Sequence, residues 1–373
     1  MRKIKKLKKI ISMLLLCSII LVQTVYAIEN ISENQSTNKD NINKNGYFAE
    51  KNHIIYYMKY VKIEENHEAL QLYQYDLQTQ IASPLCKDYF QYDPIAPIYN
   101  MRVCNDGYVY FKAQRKEIKE EEQKSGYYRV SVNGGKSEYV CKYEEIAFLS
   151  DSWVYWAEKN VFYNLVTNEV IENTVTSPFD AVSITQYWNS TCEYQDTIYI
   201  QARHWTAKDV DGTSDEIKYK NGQALEYGVY ALPLHEQNAF HKIELEYKIN
   251  YFQIYNNNLY YLNENTIKQY SLQNHTTKTI VKVESGNIYQ FAVYNNTLYY
   301  CYSIEKNGKY YHNLYSVSLN EEQSQAIIAV PYLFGNQIHI LEDVICYAHV
   351  DKWSIGNWRI FDIHTGKRYF IEL

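Results

Sequence analysis

Two histidines near an acidic residue are the first candidates for chemistry in this sequence. His235-Glu236 is followed by His241, but a zinc-binding HExxH motif needs two histidines four residues apart on one helix face. Here the histidines are six residues apart, and the surrounding residues are typical of a strand, a turn and a second strand. We therefore predict no zinc site.

A second candidate is an acidic loop whose side-chain oxygens could bind calcium. Its residues are Asp209, Asp211, Gly212, Asp215 and Glu216. Their spacing matches no complete EF-hand pattern, and acidic loop residues are usually just solvated. We predict no metal ion and no cofactor.

Catalytic signatures are absent from the sequence. It contains no GxSxG motif, no phosphate-binding glycine loop and no Cys/His nucleophile pairing. Carboxylates are plentiful, but one sequence cannot pair two of them across a channel for acid–base work. We assign no catalytic residue at this stage.

Tryptophans offer a further kind of site, because an exposed indole ring can bind a ligand. Trp153, Trp156 and Trp358 fall in strand-like phrases, so we expect them in the core. The remaining three lie near or in predicted loops: Trp188, Trp205 and Trp353. The pair His204-Trp205 opens the longest insertion, 203–228, and is the most site-like, although a loop tryptophan more often pins its own loop.

The elements that must position these residues repeat about every 48 residues, a period typical of propeller blades. Each repeat has an aliphatic residue, a tyrosine and an apolar residue, with cysteine replacing the tyrosine in the last copy. The seven copies begin at Ile55, Val109, Val154, Ile198, Leu259, Leu298 and Ile345. A second alternating phrase follows each copy, as in LYQYDL (72–77) and LYSVSL (314–319). This alternation predicts strands.

Repeat five, 248–284, contains four short strands joined by turn residues, which is the layout of an antiparallel meander. The other repeats span 47–87, 98–142, 144–176, 181–245, 288–330 and 336–373. Tyr-rich, almost continuously apolar second strands predict burial on both faces, as in radially packed propeller sheets. We predict one all-β domain, 47–373, a β-propeller with seven blades of four antiparallel strands. Six or eight blades stay possible, and no strand exchange between the termini is evident.

The N-terminus predicts export. Residues 1–27 have a basic n-region, an apolar stretch from Ile10 to Val22, and a cleavage pattern ending at Ala27. We expect cleavage and a secreted or cell-surface protein. The alternative is a membrane-anchored protein that keeps this segment, although the stretch is short for a span. Residues 28–46 are polar and Asn-rich and predict a flexible spacer.

The net charge of the chain limits the classes of partner that it can bind. The chain has 37 basic and 43 acidic residues, and losing six signal-segment basics leaves a net charge of −12. This acidity argues against nucleic acid or anionic lipid as a partner.

Six cysteines remain after cleavage, several inside apolar strand phrases, where buried thiols are commoner than disulfides. We claim no disulfide.

The phrases NNNLYYLN (256–263), NTLYYCYS (296–303) and LYSVSLN (314–320) resemble a family of exported Gram-positive proteins of unknown function. That family carries a propeller akin to the YWTD propeller of lipoprotein receptors and to TolB-like propellers. The resemblance covers 47–373 and implies a non-enzymatic, extracytoplasmic propeller, although fold alone does not determine function.

We therefore expect a monomeric, non-enzymatic binding or scaffold module that recognises a cell-surface protein, peptide or glycan. The alternative is an extracellular glycan-cleaving hydrolase or lyase with carboxylates in the propeller channel. Long loops and prolines gather on the face that carries the turns between strands two and three. We expect His204, Trp205, Asp93 and Asp180 to lie on that face as binding residues.

Overall fold

The computed structural model describes fifteen stretches of the chain: 47–64, 67–91, 101–115, 124–143, 145–156, 158–173, 191–202, 228–236, 241–245, 249–306, 309–320, 324–330, 338–341, 343–348 and 357–372. Within them, every regular element is a β-strand and there is no helix. No helix in this described part is long and apolar enough to cross a membrane. The all-β prediction is confirmed.

The strands follow the sequence repeats, four to a repeat. Repeats one and two contain β1 (Phe48–Lys51), β2 (Ile54–Glu64), β3 (His67–Asp76), β4 (Ile81–Gln91), β5 (Arg102–Val103), β6 (Tyr108–Arg115), β7 (Ser125–Ser131) and β8 (Glu138–Cys141). Repeats three and four contain β9 (Ile146–Leu149), β10 (Trp153–Trp156), β11 (Val161–Asn164), β12 (Val170–Glu172), β13 (Thr191–Tyr194), β14 (Thr197–Ala202), β15 (Gly228–Pro233) and β16 (His241–Ile243).

Repeats five to seven continue the pattern. They contain β17 (Ile249–Tyr255), β18 (Asn258–Asn263), β19 (Thr266–Ser271), β20 (Thr277–Lys282), β21 (Asn287–Tyr294), β22 (Thr297–Lys306), β23 (Lys309–Ser318), β24 (Ser324–Val330), β25 (Ile338–Ile340), β26 (Val344–Ala348), β27 (Asn357–Asp362) and β28 (Arg368–Glu372). Every tyrosine phrase lies in strand two of its repeat and the second phrase lies in strand three, as predicted.

Short turns join strands one and two in most repeats. In repeat five, Asn256 and Asn257 have φ of 47° and 57° and connect β17 directly to β18. Asparagine adopts this left-handed conformation more readily than most residues. The asparagines between the first and second strands therefore favour tight hairpin turns.

First strands of several neighbouring repeats lie close to one another. β1 approaches β5, β13 approaches β17, and β17 approaches β21, although no strand of these pairs is hydrogen-bonded to the other. Successive repeats pack face to face through buried clusters that join repeats one to two, two to three, four to five, five to six and six to seven. Sheets packed radially around their first strands form a β-propeller.

The ring closes by side-chain packing between the last repeat and the first. Phe48, Ile55 and Tyr57 of repeat one share a cluster with Val344 and Ile360 of repeat seven. In the described residues, β1 pairs only with β2 and β28 only with β27, so the termini exchange no strand.

Repeats one and two form one continuous sheet. Phe90 and Gln91 at the end of β4 pair with Arg115 and Gln114 of β6, giving an eight-stranded sheet beside five four-stranded sheets in the described part of the chain. The sequence did not predict this link. Because two repeats share a sheet, the number of blades stays a prediction.

The core fits the expectations for cysteine and tryptophan where they can be checked. All six cysteines in the described residues are buried and none forms a disulfide: Cys86, Cys104, Cys141, Cys192, Cys301 and Cys346. Trp153 is buried and Trp156 is half-buried.

Candidate functional site

The turns between strands one and two are linked from repeat to repeat around one end of the ring. The hydroxyl group of Tyr194 accepts a hydrogen bond from the backbone N–H of Asn257 at 3.2 Å and donates one to Oδ1 of Asn257, also at 3.2 Å. One repeat further on, the hydroxyl of Tyr255 accepts the N–H of Asn296 at 3.0 Å. These links use neutral groups, so they stabilise the ring and carry no charge.

The junction between repeats three and four differs from these two neutral junctions. The aromatic residue is Trp153, whose indole N–H donates to Oδ1 of Asp196 at 2.8 Å. A carboxylate thus stands where the later junctions have an asparagine. A departure from a structural pattern in a repeat protein is a reason to look for a site there.

Glu193 is the central group of this junction. It lies in β13, its residue is 6% exposed, and its carboxyl group bonds the Ser150 hydroxyl and accepts the backbone N–H of Asp196. Burial raises the pKa of Glu193 to about 7, and the nearby charge of Asp151 adds to the rise. Glu193 therefore retains its proton to a higher pH than an exposed glutamate does.

Asp151 is held in the turn after β9 by repeat two. Nη1 of Arg102 donates to its Oδ1 at 2.9 Å, and the backbone N–H of Asn105 donates to its carbonyl oxygen at 2.7 Å. Its side chain is 27% exposed, so this carboxylate is more open to solvent than Glu193. The cluster thus combines one protonatable acid with one ion-paired carboxylate.

His235 completes the cluster on its solvent side. Its Nε2 lies 3.6 Å from Oδ2 of Asp196, and its Nδ1 lies 3.6 Å from Oε1 of Glu169. The imidazole ring packs edge-on against Trp153 with 6.2 Å between ring centroids. The His235 side chain is about half exposed. We name Asp151, Glu193, Asp196 and His235 the acid cluster.

The acid cluster places a carboxyl group with a raised pKa near two carboxylates that are more open to solvent. A carboxylic acid that holds its proton near a second carboxylate is the usual arrangement for general acid–base hydrolysis. The acid cluster lies at the end of the ring formed by the turns between strands one and two. The predicted binding face is the opposite end.

A related arrangement occurs where repeat seven meets repeat one. Oε2 of Glu50 accepts the backbone N–H of Asp343 at 3.1 Å. The Asp343 carboxylate contacts His53 and also bonds Nε2 of His364 at 3.0 Å. Glu50 pairs with Ile55 in the register in which Glu193 pairs with Ile198, so the two glutamates are equivalent in their repeats.

The predicted binding residues cannot be placed. His204, Trp205, Asp93 and Asp180 all lie outside the described residues, as does the acidic loop that begins at Asp209. His235 lies in the turn after β15, whereas the exposed His241 begins β16. Within the described stretches, no group of three or more potential ligands could hold a metal ion.

Sequence analysis singled out His235 but missed the carboxyl groups of the acid cluster. Glu193 lies in a strand whose neighbouring residues are apolar or aromatic, and the same position is acidic in repeat one. An acidic residue at a position that should face a neighbouring repeat was the available signal. Nothing in the sequence indicated that Asp151 and Glu193 would meet.

Comparison with solved structures places the chain among propeller proteins. A prolyl endopeptidase superposes on 95% of this chain and 54% of its own with a TM-score of 0.51 and 11% identity. The propeller domain of the Trilobed protease from Pyrococcus furiosus, described as having an open velcro topology, matches 87% of this chain and 95% of its own, with a TM-score of 0.52 and 12% identity. The isopeptidase AtxE2 gives a TM-score of 0.45 at 8% identity over 88% of this chain and 50% of its own.

These likenesses establish the β-propeller fold. The chain spans about half the length of the prolyl endopeptidase that it matches. No protein-family model matches the sequence, and the comparison with curated proteins finds no match. The resemblance to an exported Gram-positive family with a YWTD- or TolB-like propeller therefore stays a prediction.

The expected non-enzymatic binding or scaffold role is wrong. Both solved structures described above with a TM-score over 0.5 come from peptidases, whereas the expectation rested on the absence of motifs and on a resemblance that no family model supports. A motif search misses sites built from carboxylates on separate repeats, which is how the acid cluster is built.

Proposed function

We propose that the chain acts in hydrolysis outside the cytoplasmic membrane, as a glycan-cleaving hydrolase whose proton donor is Glu193. The observation that carries this proposal is the raised pKa of Glu193, about 7, beside the carboxylates of Asp151 and Asp196. A carboxylic acid that keeps its proton near neutral pH can protonate a glycosidic oxygen as the bond breaks.

The other members of the acid cluster have distinct roles in this proposal. Asp196, whose side chain is 53% exposed, is the base that activates water. Trp153 fixes Oδ1 of this carboxylate, which leaves Oδ2 beside His235. Asp151, paired with Arg102, supplies negative charge that favours the positive, oxocarbenium-like transition state.

The organisation of the chain belongs to the same proposal. Residues 1–27 direct export and are cleaved, 28–46 form a spacer, and 47–373 form a seven-bladed propeller in which the eight-stranded sheet counts as two blades. The protein is a monomer, and its substrate is a polysaccharide at the cell surface or in the medium.

The test begins with the mature chain and a panel of polysaccharides, followed by reducing-end release. Once a substrate is found, Glu193→Gln should lower kcat by at least about 100-fold, the usual contribution of a general acid. The matched control is Glu50→Gln, the equivalent buried position in repeat one, which should change kcat by less than about threefold. Activity of the wild-type protein should fall as pH rises above 7, because Glu193 then loses its proton. Full activity of Glu193→Gln would refute the assignment.

Peptide hydrolysis is the second candidate, favoured by the likeness to a prolyl endopeptidase and to the Trilobed protease propeller. The same variants decide between the two when they are assayed with peptide libraries in place of polysaccharides. If the protein cleaves peptides but no polysaccharide, and Glu193→Gln loses that activity, Glu193 remains the proton donor and the substrate is a peptide.

A further inference from the structure

The interface that closes the ring, between repeats seven and one, joins titratable groups where two other interfaces join neutral ones. His53 has a φ of 65° and is the second residue of the turn between β1 and β2. The same position in repeats five and six is occupied by Asn257 and Asn296, with φ of 57° and 56°. Those asparagines bind tyrosine hydroxyl groups of the preceding repeat. His53 instead contacts Oδ2 of Asp343, a carboxylate of repeat seven.

Hydrogen bonds within each repeat hold the two partners in place. The backbone N–H of Leu77, directly after β3, donates to the carbonyl oxygen of His53 at 3.0 Å. The backbone N–H of Ile363 donates to the carbonyl oxygen of Asp343 at 2.9 Å. Nε2 of His364 lies 3.0 Å from Oδ1 of Asp343, which leaves Oδ2 for the histidine of repeat one. Because each partner is fixed in its own repeat, their contact depends on how closely the two repeats approach.

The other charged groups around this contact are acidic. Three further carboxyl groups lie beside it: Glu50, Asp76 and Asp362. Asp76 interacts electrostatically with His53, and Asp362 accepts the backbone N–H of His364 at 2.9 Å. Within the described residues, no lysine or arginine forms an ion pair with Asp76, Asp343 or Asp362. A positive charge on either imidazole ring is therefore attracted by the acidic groups that face it.

We propose that protonation of His53 strengthens the closure of the ring, so that the interface between repeats seven and one is tighter at pH 5.5 than at pH 8. Histidine is the side chain that gains a positive charge over this range. A charged imidazole ring binds a carboxylate more strongly than a neutral one does. Since the contact with Asp343 exists only when the two repeats meet, the closed ring binds the proton more tightly than the open ring. Closure is therefore favoured as pH falls and loses this support as pH rises.

His364 has a different part in this proposal. It holds the Asp343 carboxylate from within repeat seven and does not cross the interface. It is a positioning residue, and His53 is the group whose charge acts between the repeats. The proposal does not depend on the acid cluster or on hydrolytic activity.

Hydrogen exchange of the folded protein measures the opening of this interface, when it is followed by peptide mass spectrometry and corrected for the intrinsic effect of pH. Peptides that cover β1 and β26 report on the interface between repeats seven and one. Peptides that cover β17 and β21 report on the neutral interface between repeats five and six in the same sample. Relative to the second interface, the first should be about threefold better protected at pH 5.5 than at pH 8, because a partly exposed ion pair contributes modestly. Equal ratios at the two pH values would overturn the proposal.

Three variants separate the charge of His53 from its place in the turn. His53→Asn introduces the residue that repeats five and six use at this left-handed position, so the turn should persist and the pH effect should disappear. Asp343→Asn removes the carboxylate and should abolish the effect as well. The matched control is His275→Asn, because His275 is exposed, has a φ of 55° and bonds Tyr270 within repeat five. This control should leave the pH effect unchanged. An effect that persists in both His53→Asn and Asp343→Asn would assign it to another group and refute the proposal.

Discussion

The buried acid Glu193 should make the stability of the protein depend on pH in a way that one substitution removes. Its pKa rises from 4.5 to about 7 on folding. Below pH 4.5 the carboxyl group is protonated in both the folded and the unfolded chain, so it has no effect. Between pH 4.5 and 7 the unfolded chain releases the proton while the folded chain retains it, and the folded state loses stability as pH rises. Each pH unit of difference is worth 1.36 kcal/mol, so the loss reaches about 3 kcal/mol above pH 7.

Glu193→Gln should abolish this loss, because glutamine fills the same space and bears no charge. We expect the variant and the wild-type protein to have equal free energies of unfolding at pH 4. At pH 8 the variant should be more stable by about 3 kcal/mol. Urea denaturation of residues 47–373, followed by tryptophan fluorescence at both pH values, measures the difference.

A second variant tests the cause of the shift. Asp151→Asn removes a negative charge close to Glu193 and leaves the Arg102 guanidinium nearby, so the pKa of Glu193 should fall and the pH dependence should become shallower. If the stability of Glu193→Gln relative to the wild-type protein is the same at pH 4 and pH 8, the carboxyl group is not desolvated and the reasoning about the acid cluster fails.

Two further substitutions test the packing between and within repeats. The side chain of Gln253, which is 1% exposed, donates to the carbonyl oxygen of Val293 at 3.1 Å and accepts the backbone N–H of Val293 at 2.7 Å. Gln253→Ala should therefore lower the free energy of unfolding, measured by urea denaturation, by about 2–4 kcal/mol. A loss below about 0.5 kcal/mol would mean that water replaces the amide. Gly286 has a φ of +85°, and a Cβ there would lie 2.0 Å from the Ser303 carbonyl oxygen. Gly286→Ala should therefore lower the free energy of unfolding by about 2 kcal/mol or more, and an unchanged value would contradict this reasoning.

The sequence predicted the strands because each one repeats a local pattern. Tyr260 and its equivalents lie in strand two, as the aliphatic–tyrosine–apolar phrase indicated, and Asn256 and Asn257 form the turn expected before it. The pairing of Phe90 in β4 with Arg115 in β6 was not predicted, because it depends on how far one strand extends past its own repeat. Local patterns carry no such information.

The acid cluster was beyond prediction for a related reason. Asp151 and Glu193 are 42 residues apart and meet only because turns of adjacent repeats are brought together by radial packing. The choice between binding and catalysis was wrong, since it rested on the absence of motifs and on a family resemblance. The repeated tyrosine phrases predicted the architecture, but they do not indicate the direction in which the Glu193 side chain points.

The closure of the ring by side-chain packing has a consequence for folding. Within each repeat and between neighbouring repeats, contacts join residues that are close in sequence, whereas the bond from Asp343 to Glu50 spans 293 residues. Closing so long a loop costs about 2 kcal/mol more conformational entropy than closing one the length of a repeat. The interface around Phe48 and Val344 should therefore form last, after the sheets have assembled in sequence, and it should be the first to open under tension. We expect hydrogen exchange to show this interface between repeats seven and one as the least protected of the contacts between sheets.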